Sequence, residues 1–590
     1  MRPGRLLDAA VLLAAGAALG ASRDPRRSGG TRPADSSAAA RFAALHAEEW
    51  AWRAAEFAGG EAEGGGAKVP DRLPRVDPAT QARRLARWED VLRRLDALPP
   101  ERLEGEAAVD YRVYREQVET LVAQQRWREY EKPINSDTAF WSTLDYAAMR
   151  TLRDAREAEA YVAYLADVPR WFGEQVANLR AGLARGFTPP RVTLAGRDAP
   201  VAAIAQAPTA EAMPLWKPLE RLPAGLGPGR GEALRAQARA TLLDAVRPAY
   251  ARLLAFLRDD YLPGARETIA AADLPDGAAY YRAQIREFTT LEGETAESIH
   301  AFGLREVAKI HAAMLATMRE TGFDGTFPAF LELLRTDPRF YAKTPEELLM
   351  RAAWIAKRVD GRLGAFIGKL PRARFGIEPV PDDIAPFYTA GRGGETYLLN
   401  TWNLPSRPLY NLAALTLHES APGHSLQIAL AAEQDDLPAF RREHYLSAYG
   451  EGWALYCEQL GEEMGIYETP YERFGMLTFQ MWRAARLVID TGLHHAGWTR
   501  GQAIAYLHDH TALARHDIET EVDRYISWPG QALSYYVGMA AILEMRAGAE
   551  AALGERFDLR AFHDAVLSTG SVPLPVLRER VARFVAEAAA

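Results

Sequence analysis

One cysteine, Cys457, stands in the 590 residues, so no disulfide can form within the chain whatever its compartment. A chain of this length must then be held by its apolar core, and 48% apolar residues are enough to build one. The lone thiol reads as a buried apolar side chain rather than a nucleophile or a ligand. A surplus of positive charge is also missing. Lys and Arg number 70 against 78 Asp and Glu, a formal net charge of −8, so the balance gives no argument for nucleic acid or an anionic membrane. No apolar run reaches comfortable bilayer-spanning length. The run nearest the N-terminus, 9-AAVLLAAGAALGA-21, follows Arg2 and Arg5 and ends in small residues before 22-SRDPRR-27. Basic start, short apolar centre and small-residue end are the order of a secretory signal peptide. The expectation is a leader over 1–21, export to the periplasm or beyond, and no stable membrane insertion once it is removed. No cysteine follows the run to carry a lipid, and no internal repeat is visible.

What is present is mostly helical pattern. Residues 22–70 read as a tether and a first helix, with the Gly-rich loop 59-GGEAEGGGAKVPD-71 at their end. Residues 71–590 read as one folded body with candidate lobes 71–290 and 291–590. Stretches 79–98, 155–185 and 294–318 place apolar residues three and four apart, as amphipathic helices do. Thr295 is a plausible cap for the last of these. The segment 376–408 differs: prolines and glycines surround 396-TYLLNTW-402, which predicts a small hairpin or edge strand. The fold class expected is mainly α, a large helical body with a small β element just upstream of the one motif that carries chemistry.

That motif is 415-LTLHESAPGHSLQ-427. It holds a His-Glu pair and a second histidine, as zinc-peptidase helices do, but His418 and His424 are six apart rather than four. Six residues advance a helix by about 600°, which leaves the second ring about 120° off the face of the first. Pro422 removes the hydrogen bond to the carbonyl four residues back, and Gly423 tolerates unusual backbone angles. The pair predicts a bulge or kink that absorbs the two surplus residues. Metal-assisted hydrolysis needs two neutral imidazoles, a third ligand, an open position and a carboxylate base. Eight of the 12 histidines fall between 418 and 516. A carboxylate is offered by 449-YGEGWALYCEQLGEEMG-465, where Glu451 lies between two glycines, 27 residues after His424, a spacing that suits return on an adjacent helix. Trp453, Tyr456, Cys457 and Leu460 form its apolar face. Glu451 is read as the third ligand, and Glu458, Glu462 and Glu463 as a solvated acidic face.

The motifs 418-HESAPGHSLQ-427, 451-EGWALY-456, 486-RLVIDTGLH-494 and 528-WPGQALSY-535 together resemble the bacterial domain-of-unknown-function family 885, grouped with zinc metallopeptidases of the gluzincin type. The resemblance runs from about residue 70 to the C-terminus and is most specific in the last 180 residues. It departs from the family form at Ser425, where a second histidine or similar residue is usual. Carried over by position, it implies one Zn2+ per chain held by His418, His424 and Glu451, with Glu419 as the base. Analogy with related folds implies a deep cleft suited to short peptides.

Other residues gain expected roles beside that centre. Asp490 and His494 are four apart on one helix, so the carboxylate can orient the imidazole and His494 can donate to an oxyanion or bind substrate; a buried structural pair is the competing reading. Tyr535, one turn beyond Gln531, is a candidate oxyanion donor, with Tyr536 its neighbour and rival. Gln531, Arg407 and Arg486 are candidates for binding substrate, the arginines through a carboxylate. His495, His508, His510 and His516 form no compact ligand pattern and read as surface residues. The function expected is a zinc-dependent hydrolase of short peptides, an exopeptidase or oligopeptidase. Its rivals are hydrolysis of a non-peptide amide or ester, and a non-catalytic exported zinc-binding protein. Oligomeric state is not legible.

Overall fold

A computed structural model describes residues 37–57, 69–381, 385, 390–393 and 396–590, with backbone alone at 390–393. The expected leader at 1–21, nearly all of the tether and most of the loop expected at 59–71 lie outside the described residues. The chain forms two compact units that part between Glu267 and Thr268, so the sequence-derived break at 290/291 falls within the second unit.

In the first unit, helical periodicity becomes helices with legible starts. Asp77 caps the helix Pro78–Asp96 by accepting from the Thr80 N–H, with proline in the first turn. The long pattern at 155–185 divides into Ala155–Ala166 and Val168–Ala184, with Pro169 in the first turn of the second helix. Between 228 and 264 the helical run widens at Leu242–Val246 and Leu257–Tyr261. Pro248 and Pro263 follow these wide turns, each unable to donate the usual backbone hydrogen bond. The unit's core includes Tyr161, Phe172, Leu179 and Tyr250. It also buries a polar hub, in which Glu49 pairs with Arg53 at 2.8 Å and accepts from the Trp88 indole and the Tyr114 hydroxyl.

The second unit carries the motif. Its principal helices are α1 (Ala296–Glu320), α2 (Pro345–Asp360), α3 (Leu409–Glu419), α4 (His424–Ala432), α5 (Ser447–Glu463), α6 (Pro470–His494), α7 (Arg515–Ser527) and α8 (Ser534–Leu553). Thr295 and Thr469 start α1 and α6 with reciprocal capping boxes. Helix α6 is buried continuously from Phe474 to His494, which explains why one helix can present both packing and polar residues to its surroundings.

Small residues set how closely these helices approach. A Cβ on Gly538 of α8 would meet the Ala448 carbonyl oxygen of α5 at 1.9 Å, and one on Gly452 of α5 would meet Gly538 at 2.5 Å. The room beside Glu451 is therefore filled by a neighbouring helix backbone. A Cβ on Gly475 of α6 would likewise reach the Tyr410 carbonyl of α3 at 2.0 Å.

The small β element is present as expected. Strands β1 (Gly376–Pro379), β2 (Ala390–Gly393) and β3 (Thr396–Leu399) form a sheet in the order β1-β3-β2. β2 and β3 are antiparallel, with Ala390 opposite Leu399, while β1 runs parallel to β3 with Gly376 opposite Thr396. The protein is mainly α, with this sheet immediately before α3.

Candidate metal centre

The six-residue spacing is resolved by ending one helix and starting another. α3 stops at Glu419, and α4 opens at His424. Between them the Ala421–Pro422 peptide is cis, and the Gly423 N–H reaches back to the Leu417 carbonyl at 3.1 Å. A Cβ at Gly423 would lie 2.0 Å from the His418 carbonyl oxygen, so no other residue fits this backbone without movement. The turn is tied from outside: the Trp453 indole of α5 donates to the Pro422 carbonyl at 2.8 Å. Ser425 donates its hydroxyl to the Glu419 carbonyl at 2.9 Å. The His418 and His424 rings now meet edge to face, their centroids 4.8 Å apart.

α5 supplies the carboxylate. Oε2 of Glu451 lies 3.5 Å from Nε2 of His418 and 3.3 Å from Nε2 of His424. One ligand atom from each residue falls within 4.8 Å of the others, and all three side chains are buried. Two imidazoles and a carboxylate converging in this way are a donor set that could hold a metal ion. Tyr445 donates to the other Glu451 oxygen at 3.2 Å, which leaves Oε2 facing the rings.

Glu458 corrects the sequence reading. Rather than lying on a solvated face, it is fully buried, and its Oε1 is 2.7 Å from Nδ1 of His418. A carboxylate there keeps a proton on Nδ1, so Nε2 is the nitrogen on which a metal would replace the proton. The seven-residue spacing puts Glu458 on the same helix stripe as Glu451, and it is packing that buries that stripe. Glu462 and Glu463 are exposed, as expected, and Glu463 pairs with Arg546 at 2.7 Å.

The electrostatics show how strongly this cluster attracts positive charge. Burial opposes a charged His418, yet hydrogen bonds to Glu451 and Glu458 outweigh it and push its pKa up to about 9. Burial takes His424 the other way, below its ordinary value, against the pull of Glu451. Burial would raise Glu451, but His424 and His418 hold it well below the usual carboxylate range. Cys457 is buried as expected, and burial pushes its thiol up.

An open cavity lies over this cluster and is lined by His418, Glu419, His424 and Glu451 together with residues of α6, α7 and α8. The remaining sequence candidates fall into three groups. Tyr535 lines the cavity, whereas the Tyr536 hydroxyl donates to Glu306 of α1 at 2.8 Å. Arg407 and Arg486 line it too, but each is neutralised, by Asp517 at 3.1 Å and by Glu521 at 2.7 Å. Gln531 and His494 are not among the lining residues. Gln531 lies 3.5 Å from Arg524, and the His494 ring nitrogens face the Ala271 N–H and the Tyr525 carbonyl. The expected use of Asp490 to orient His494 gives way to another: the carboxylate accepts from the Tyr281 hydroxyl at 2.6 Å and from the Gly530 N–H. His495 and His516 are exposed and His508 and His510 half-buried, without a second ligand cluster among the described residues.

Fold and site together define a mainly helical protein with a buried His–His–Glu group, able to hold a metal ion beneath an open cavity. No helix among the described residues is long and apolar enough to cross a membrane. The chain belongs to the DUF885 family of bacterial proteins of unknown function, whose sequence profile matches residues 55–581. Among solved structures it is similar to a candidate lipoprotein from Colwellia psychrerythraea, at 26% identity and TM-score 0.84, over 93% of this chain and all of that one. A candidate lipoprotein of unknown function from Shewanella oneidensis matches at 17% identity and TM-score 0.67, over 92% of this chain and 99% of that one. An M32 carboxypeptidase from Deinococcus radiodurans R1 is a distant neighbour at 15% identity and TM-score 0.31, over 86% and 98% of the two chains, a score too low to bear on function. No curated protein matches the chain in sequence.

Proposed function

We propose that this protein is an exported zinc-dependent hydrolase that cleaves peptide bonds of short peptides. The observation that carries the reading is the convergence of His418, His424 and Glu451 within 4.8 Å, with Glu419 lining the same cavity. A structural metal site has no need of an extra carboxylate facing open space. Zinc held by those three residues would supply Lewis acidity, activating water and polarising a carbonyl at neutral pH. Glu419 then accepts the proton of the attacking water and returns it to the departing amine. The Tyr535 hydroxyl, which lies 3.4 Å from Arg524, donates to the oxyanion that forms at the carbonyl. Export follows the leader-like N-terminus and fits the description of two similar structures as candidate lipoproteins.

The reading is tested by metal analysis and a peptide-library screen run on one preparation. The wild type should carry about one zinc per chain and cleave short peptides. Glu419→Gln should keep the zinc and lose the cleavage. Zinc absent after reconstitution, or cleavage undiminished in Glu419→Gln, would overturn it.

A further inference from the structure

Phe479, Trp482, Arg483 and Arg486 recur at three and four residues along α6, and all four line the cavity. The two arginines differ in their partners. Arg486 is matched by Glu521 at 2.7 Å and bonded to the Tyr525 hydroxyl at 2.9 Å. Arg483 is 4% exposed, and its Nε and Nη1 have no hydrogen-bond partner. Its carboxylate neighbour is Glu458, with Oε1 3.8 Å from Nη2, and that same oxygen is already engaged by His418 Nδ1 at 2.7 Å. The guanidinium is held instead by aromatic faces, 4.1 Å from the Trp482 ring centre and 4.7 Å from that of Phe479. Stacking of this kind orients the fork and offsets part of its desolvation, but it leaves the in-plane N–H donors unmet. A buried cation with unmet donors is costly unless something anionic arrives to meet them.

We propose that Arg483 is a specificity residue that binds a carboxylate of the substrate, so that the site selects peptides with a negative group next to the bond that is cut. The proposal rests on the hydrolase reading and narrows its substrate class. One oxygen of Glu458 bonds His418 and lies 3.8 Å from Arg483, so the guanidinium is a close neighbour of the metal ligands. Successive residues of a peptide advance by about 3.8 Å, and a carboxylate within a residue or two of the scissile carbonyl suits that reach. The planar guanidinium matches a carboxylate through two parallel hydrogen bonds. A C-terminal carboxylate and an Asp or Glu side chain share this chemistry.

Calorimetric binding to zinc-loaded Glu419→Gln separates the cases, with three acetylated tri-alanine-type probes: a free C-terminal acid, its C-terminal amide, and an amide ending in Glu. One or both of the carboxylate-bearing probes should bind roughly 10- to 100-fold more tightly than the plain amide, as a charge-assisted pair requires. Which of the two does so identifies the source of the carboxylate. Adding Arg483→Gln should abolish the difference, and Arg483→Lys should keep only part of it, with zinc content and thermal unfolding as checks on the fold. Equal binding of all three probes, or a preference that survives Arg483→Gln in a folded, zinc-loaded protein, would overturn the proposal. Turnover by the wild type is read separately. A binding preference without any cleavage sinks the hydrolase reading and sustains carboxylate recognition. Cleavage with no preference for a carboxylate does the reverse.

Discussion

His418 has two ring nitrogens, and the residues around it decide which one is left for a metal. Glu458 meets Nδ1 at 2.7 Å, and Nε2 faces Glu451 and the second histidine. The Glu458→Gln variant should still accept from Nδ1–H, but without the negative charge that strengthens the ring as a ligand. Zinc affinity should fall roughly 10- to 100-fold, read by competition with a chelating dye. His424→Ala and Glu451→Ala remove a direct ligand each, and metal analysis should find both depleted of zinc. Glu419→Gln is expected to separate binding from chemistry: zinc content unchanged, kcat down by about 10²- to 10⁴-fold. If Glu458→Gln bound zinc as tightly as the wild type, its hydrogen bond to His418 would be a packing contact alone.

The helices show which features of the chain were legible before folding and which were not. The break between α3 and α4 was readable because proline cannot donate a backbone hydrogen bond, and Pro422 stands where the two surplus residues must go. The α1 cap at Thr295 and the strand at 396–399 were readable for similarly local reasons. Glu458 was not, since a helix with Glu462 and Glu463 at its end looks acidic and solvated, and only packing from several sides buries α5 from Ala448 to Glu458. Nor could local pattern show that Asp517 and Glu521 would neutralise Arg407 and Arg486, because those partners lie 110 and 35 residues away. The Gly452–Gly538 contact is similarly long-range, and it has a measurable consequence. In Gly538→Ala the new Cβ would collide with the Ala448 carbonyl, so α5 and α8 must separate. Denaturant unfolding should show a loss of about 1–3 kcal/mol. Because α5 carries Glu451, zinc binding should weaken in the same variant. An unchanged unfolding midpoint would mean the helices part there without strain.

Asp490 ties together parts of the second unit that are far apart in sequence, and its titration should be visible in the stability of the whole protein. Its carboxylate is fully buried and accepts from Tyr281, more than 200 residues upstream, and from the Gly530 N–H just before α8. Burial is the largest influence and raises its pKa to about 7, although the hydrogen bonds from Tyr281 and Gly530 pull the other way. The folded protein therefore holds this proton more tightly than the unfolded chain, where an aspartate titrates near 3.8. The stabilising contribution is complete below the unfolded value and is lost as pH rises toward 7, with a slope of up to about 1.4 kcal/mol per pH unit. Asp490→Asn keeps an acceptor for Tyr281 and Gly530 but has no proton to lose. Urea unfolding of both proteins at pH 5 and pH 7.5 isolates the group from every other titration they share. The stability of the wild type relative to Asp490→Asn should fall between the two pH values. A difference that stays constant would mean that Asp490 is already ionised at the lower pH, with its two hydrogen bonds outweighing burial.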